Sequence, residues 1–428
     1  MTRLAVRGGY VLDPAGGTDA VRDVFCARGK IVGVGSATEE FEAEQVVDAQ
    51  GCLVMPGAVD LAVCLNPLGE QRAGVESETR AAAAGGVTTV CSVPETQPIP
   101  DSPAAVRLLM EQVQQAGFVR LEALGAAMQG LGDTQLASLG ALREAGCVGV
   151  SNGMQPYASL LVLRRAMEYA ASQDLTLFYH PLDHALASQG CAHEGTFAAR
   201  LGLPGILPAA ETAALAQMTA LVQDTGARVH FCRLSCAQAV DMLEMGQQTG
   251  LPVTADVAVH QLFLTEEAVE GFDVNALVSP PLRTEHDRER LREGVRDGVI
   301  QAICSDHQPL DPDSKMAPFP EARPGISGIE TLLPLTMKLV TEDVLPRASA
   351  VERLTAGPAA ILGSGAGTLA VGAPADLCVM RLDDPWVFGI DSMLSAGRNT
   401  PFDGWQFDDR VQATICGGRI VYERKDAT

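Results

Sequence analysis

Apolar and polar positions change rhythm twice along the chain. Residues 1–55 alternate short β-like runs with turns, as in "RLAVRGGYVLDP", "VRDVFCARGKIVGVG" and "EQVVDAQGCLVMPG". The final stretch, residues 364–428, has the same character in "GTLAVGAPADLCVMRL" and "RVQATICGGRIVYE". A pair or trio of strands is marginal by itself, so the two ends are expected to combine into one small β-sandwich. Between them, residues 56–363 alternate strand with helix. The strand candidates are "AVDLAV", "VTTVCSV", "RLEALGA", "VGVS", "LTLFYH", "RVHFCRLS", "PVTADVAV" and "IQAICSD". Amphipathic stretches such as "SPAAVRLLMEQVQQAG", "SLLVLRRAMEYAASQD" and "AAETAALAQMTALVQDTG" follow strands with helical spacing. About eight such units predict an α/β fold, a (β/α)8 TIM barrel. A doubly wound open sheet is the alternative, disfavoured by the lack of a GxGxxG or phosphate-binding loop.

Composition narrows the function classes. The 428 residues, 47% hydrophobic, suffice for one large domain and a smaller one. A formal net charge of −22 repels nucleic acid and anionic membranes, so neither is an expected partner. No run has the length of a membrane span, and the start lacks the apolar core of a signal peptide. The eleven cysteines are scattered singly, which fits reduced thiols and a cytoplasmic location better than a disulfide framework. No CxxC pair suggests a structural zinc.

In a barrel of this kind the functional side chains stand at the C-terminal strand ends. The first strand ends at Ala62, Cys64 and Asn66, the second near Glu95, the fourth at Asn152 and the fifth at His180. The sixth carries His230 and Arg233, the seventh leads to His260 and then Ser279, and the eighth ends at Asp306 and His307. A hydrolytic metal site needs several imidazoles and carboxylates converging from different strands. The chain has seven histidines, none before His180, so the first half of the barrel supplies no imidazole. Asp306 is the strongest single carboxylate candidate. Cys64 and His180 read more readily as core residues than as ligands. Strand alternation puts His230 and Arg233 on opposite faces, with His230 as packing. His260 and His307 read as structural loop residues. No GxSxG turn or Cys/His pairing marks a nucleophile.

The ordered stretches "VMPGAVDL", "AAAAGGVTTV", "HEGTFAARLGLPGILPAAE", "SPPLRTEHDRERLREGVRDG", "CSDHQP", "PGISGIETLLPL" and "GRNTPFDGW" resemble the dihydroorotase branch of the amidohydrolase superfamily over nearly the whole length. The resemblance implies a barrel with a sandwich. It also implies where a metal site would stand, and there the residues depart from the family. The two strand-one histidines correspond to Ala62 and Cys64, and the substrate-binding arginine after them to Asn66. The bridging carbamylated lysine or aspartate corresponds to Asn152, and the strand-six histidine to Arg233. Only His180 and Asp306, the latter the metal ligand and general base, are retained. Substrate positions are changed as well, to Glu95, Ser279 and Leu310. The chain is therefore expected to hold no metal or other cofactor and to be an inactive dihydroorotase-like protein. By resemblance to inactive homologues of this branch, its expected partner is aspartate transcarbamoylase, with which it would form a hetero-oligomer. An active amidohydrolase with a mononuclear site rebuilt from Cys64, His180 and Asp306 stays open, as does a module that senses a ligand without chemistry. A salt bridge from Arg233 to Asp306, in place of the lost cation, is also expected.

Overall fold

The computed structural model describes residues 3–35, 41–71 and 73–424. Its centre is a run of eight parallel strands in sequence order. They are β1 (Ala58–Val63), β2 (Val87–Ser92), β3 (Arg120–Ala126), β4 (Cys147–Ser151), β5 (Thr176–Tyr179), β6 (Val229–Phe231), β7 (Val253–Ala258) and β8 (Ala302–Cys304). Every residue of β1 and β2 is buried, as expected for strands covered on both faces. Their apolar runs therefore show no alternation. The ring closes just past β8. The His307 N–H donates to the Ala62 carbonyl, and the Cys64 N–H to the His307 carbonyl, each at 2.9 Å. Asp60 helps this closure by accepting the Ser305 N–H at 3.0 Å. An open doubly wound sheet is thereby excluded.

The helices form where the apolar spacing required them. Pro103–Ala116 buries Val106, Leu109 and Val113 along one face, starts on a proline and stops at Gly117 with φ 74°. Leu160–Ser172 buries Leu163, Ala166, Met167 and Ala170, and the Ser159 hydroxyl caps it by accepting the Val162 N–H. No helix among the described residues is long and apolar enough to cross a membrane.

Strands from the two chain ends share one eight-stranded sheet. The join is antiparallel, Cys52–Pro56 against Leu377–Arg381. This sheet has its own apolar cluster, which includes Leu4, Val24, Ile31, Val54, Leu377 and Ile415. One part of the C-terminal stretch behaves differently from the sequence reading. Phe388, Met393, Phe402 and Phe407 belong to the barrel's apolar core rather than to the terminal sheet. Asn399 fixes this excursion, since its amide donates to the carbonyls of Gln308 and Gly325 at 2.9 Å each. Such side-chain-to-backbone bonds leave no periodic signal in the sequence.

Candidate functional site

The strand ends deliver the candidate residues to two cavities rather than one. Ala62, Cys64, Glu95, Arg233, Asp306 and Leu310 line a cavity of about 230 Å³ at the barrel mouth. Asn152 and His180 line a neighbouring cavity of about 280 Å³. Met154 and Gln155 line both, so the chain after β4 forms the partition. Asn152 shapes that partition: its amide nitrogen donates to the carbonyls of Gly132, Gln155 and Pro156 at 3.0, 3.3 and 3.3 Å. Asn66 and Ser279 line neither cavity. The Asn66 amide instead donates to the Gln97 carbonyl.

Arg233 dominates the mouth. Its Nε lies 3.3 Å from Asp306 Oδ1, and both side chains are nearly excluded from solvent. The contact is an ion pair at one oxygen, without the alignment of a hydrogen bond. It is not the two-pronged bond a guanidinium can make. Asp306 accepts a hydrogen bond from the Gln308 amide at 3.2 Å. Burial raises the Asp306 carboxyl above its ordinary range, and the Arg233 charge opposes that rise. Glu95 is pushed up in the same way and likewise opposed by Arg233. Burial alone would weaken the guanidinium's hold on its proton, but Asp306 together with smaller contributions that include Asp256 outweighs it, and the net shift is upward. Glu95 Oε1 accepts the Met154 N–H at 3.0 Å, while Oε2 has no partner among the described residues.

The strand alternation expected to separate His230 from Arg233 does not reach Arg233. Strand β6 ends at Phe231, and Arg233 turns away from it at φ 55°. Alternation therefore no longer applies at Arg233, and both residues converge on Asp256. The Arg233 N–H donates to Asp256 Oδ1, and His230 Nε2 lies 3.0 Å from Oδ2. An ionised carboxylate only accepts, so His230 Nε2 carries the proton and Nδ1 accepts from the Thr254 hydroxyl at 2.9 Å. Burial pushes Asp256 upward, but bonding to His230 and the positive charge of Arg233 bring it below its ordinary value. Asp256 was absent from the sequence reading, which considered strand ends only. An acid inside the otherwise uncharged "PVTADVAV" was the available signal. His230 is fully buried against the Phe178 ring, with centroids 4.9 Å apart.

The remaining histidines divide by environment. His307 Nε2 lies 2.9 Å from Glu78 Oε2 in a fully buried pair that ties the first barrel helix (Val75–Ala84) to the end of β8. His260 is buried, and burial together with Arg233 lowers it to about 3. His180 is also lowered to about 3, first by burial and then by the Arg233 charge. Its Nδ1 lies 3.3 Å from the Cys232 carbonyl, which can only accept. The neutral ring therefore has its proton on Nδ1 and a bare acceptor at Nε2.

These residues do not fit a binuclear metal centre. Ala62 offers no ligand atom. Burial drives the Cys64 thiol upward, away from the thiolate a metal needs. Arg233 holds a permanent positive charge where a cation would stand. His230, Cys232 and Asp256 bring donor atoms within 4.8 Å of one another. Both His230 nitrogens are already hydrogen-bonded, however, and burial holds the Cys232 thiol protonated.

Comparison with known proteins agrees with this architecture. Residues 51–239 match the dihydro-orotase-like family, and residues 197–422 match the amidohydrolase family. A dihydroorotase-like protein of Pseudomonas aeruginosa is 46% identical over 421 residues, covering 98% of this chain and 99% of its own length. The chain belongs to the dihydroorotase-like group of the amidohydrolase superfamily. A dihydroorotase of Syntrophotalea carbinolica is 41% identical across 99% of this dihydroorotase-like chain and 100% of its own. In fold, an L-hydantoinase from Arthrobacter aurescens superposes with a TM-score of 0.87 at 24% identity, covering 100% of this chain and 98% of its own.

Proposed function

We propose that this dihydroorotase-like chain is non-catalytic and acts as a structural, assembly subunit of aspartate transcarbamoylase in pyrimidine biosynthesis. The observation that carries the first half is the buried contact between Arg233 and Asp306. A metal hydrolase uses its cation to lower the pKa of water and polarise the scissile carbonyl. Here a guanidinium stands beside the retained aspartate, and it has no coordination position at which water could be bound and ionised. Glu95 adds a carboxylate that disfavours an anionic substrate. The second half rests on the resemblance to inactive homologues that co-assemble with the transcarbamoylase. A barrel without chemistry retains its surface as the place for a selected role. Co-expression with the transcarbamoylase from the same genome tests this half. The expected result is a stable complex and a transcarbamoylase that loses activity when this chain is omitted. A transcarbamoylase that assembles and works normally alone overturns it.

An active amidohydrolase with a rebuilt mononuclear site is the second reading, favoured by the relatives named dihydroorotase. Its ligands would be Cys64, His180 and Asp306, but His180 lines a different cavity from the other two. Stoichiometric zinc bound tightly by the purified chain would distinguish this reading.

A further inference from the structure

A further cavity stands at the opposite end of the barrel from the mouth. Its volume is about 580 Å³, against about 230 Å³ at the mouth. Small-molecule sites commonly span about 300–1,000 Å³. It lies at the starts of β4, β5, β6 and β7, where Val148, Thr176, Val229 and Val253 line it, and beside the helix Ala356–Leu362. That helix packs Ala359 and Leu362 into the apolar cluster of the strands, with Leu61, Phe178 and Cys304. The cavity is the space left between the helix and the four strand starts.

The lining combines apolar walls with donors. Leu251, Pro252 and Ile361 supply apolar surface beside Val148. Two arginines, Arg143 and Arg228, also line the cavity, with Asp174 as its one carboxylate. Asp174 is engaged by Arg228, whose Nη2 donates to its Oδ1 at 2.8 Å and to its carbonyl at 3.0 Å. Arg143, in the last turn of the short helix Leu139–Glu144, makes no side-chain hydrogen bond or ion pair among the described residues. The lining therefore carries one uncompensated positive charge, in a chain whose net charge is −22. The Thr176 hydroxyl also has no partner among the described residues, and Thr176 is only half-buried, so it is not closed off from the cavity. Thr254 lines the cavity too, but its hydroxyl proton is committed to His230 Nδ1 at 2.9 Å.

An exposed arginine alone is solvated and specifies nothing. Here two guanidinium groups and a free hydroxyl border one hollow that also has apolar walls. Guanidinium forks match a carboxylate, and hydrogen bonds to an ionised group are roughly twice as strong as neutral ones. Apolar walls reward a ligand body that leaves water. We propose that this basal cavity binds a small carboxylate with an apolar body, an aryl or branched aliphatic monoacid. Arg143 and Arg228 hold the carboxylate, the Thr176 hydroxyl donates to it, and the body rests on Leu251, Pro252 and Ile361. The site is separate from the barrel mouth and independent of whether the mouth has chemistry.

Benzoate, benzyl alcohol and inorganic phosphate are the probes. The alcohol keeps the ring without the charge, and phosphate keeps a charge without the ring. Each is titrated into the intact chain by calorimetry, and nuclear Overhauser contacts from the benzoate ring to side-chain methyl groups locate it. Benzoate is expected to bind at least tenfold more tightly than either of the others and to contact the methyl groups of Leu251 and Ile361. Arg143→Gln is expected to weaken benzoate about fivefold. Benzyl alcohol binding as well as benzoate would show an apolar hollow only, and phosphate binding as well would show a bare anion site. Either result overturns the proposal. So would no benzoate binding at millimolar concentration, benzoate contacts at the barrel mouth instead, or unchanged affinity in Arg143→Gln. The probe comparison uses the unaltered chain, so it decides the matter even if the variant fails to fold.

Discussion

Arg233 and Asp306 face each other at 3.3 Å from the ends of β6 and β8, and both hold positive φ, 55° and 46°. Such backbone costs on the order of 1–3 kcal/mol per residue and persists only where its surroundings hold it. Here the Asp256 carboxylate holds the Arg233 N–H, and the ion pair spans the barrel mouth. The pair stands at two positions where the family resemblance places metal ligands.

Removing one partner strands the other. Arg233→Met leaves Asp306 and Glu95 without their shared cation and is expected to destabilise the fold by about 3–5 kcal/mol. Adding Asp306→Leu removes the stranded charge and is expected to recover much of that loss. Denaturant unfolding of the wild type, both single variants and the double variant gives the coupling directly. Simple additivity would show that the pair does not interact.

The pairing was legible because the strand ends carried its members in sequence, and the resemblance placed them around one site. The path between them was less legible. Period-two reasoning needs a continuing strand, and β6 stops at Phe231, so it does not reach Arg233, whose backbone N–H meets the same Asp256 carboxylate that holds the His230 ring. The partition between the cavities was hidden for a different reason. It depends on one amide, Asn152, gathering three carbonyls, a local bond pattern that neither hydrophobic spacing nor composition reports. Barrel strands such as β1 and β2 were plain because burial on both faces removes apolar–polar alternation and leaves short runs rich in apolar and β-branched residues.

Glu78 is expected to act as a latch. Burial pushes its carboxyl up, but its hydrogen bonds to His307, Ser395 and Ser77 bring it below its ordinary value. A depressed folded-state pKa gives stability that is present above the unfolded value and lost as pH falls through the folded one. Glu78→Ala should therefore cost about 3–5 kcal/mol near neutral pH. The gap from wild type should shrink as pH drops through the carboxylate range. A gap that stays constant with pH, measured by urea unfolding, would refute the charged latch.

The buried neutral histidines give the opposite group type and a different window. His260 is lowered from 6.5 to about 3. Below the unfolded value the unfolded chain binds a proton that the folded chain refuses, so stability falls as pH drops from 6.5 toward 3. The slope approaches about 1.4 kcal/mol per pH unit for one site. His260→Gln should flatten the stability curve across that window. An unchanged slope would show that His260 is charged in the folded chain.

Arg233→His restores one imidazole that the family uses. It should not restore hydrolysis, because Ala62, Cys64 and Asn152 still supply no ligand set for a metal. Zinc content and ring-opening activity of the variant check this together. Stoichiometric zinc with turnover from this single change would mean that the rest of the site is intact.

The central claim, that the barrel mouth performs no hydrolysis, is tested most directly by ring opening of dihydroorotate with the purified chain and excess zinc. The expected result is a rate equal to that of buffer with zinc alone. Turnover above that background, rising with zinc and abolished by Asp306→Ala, would contradict the account.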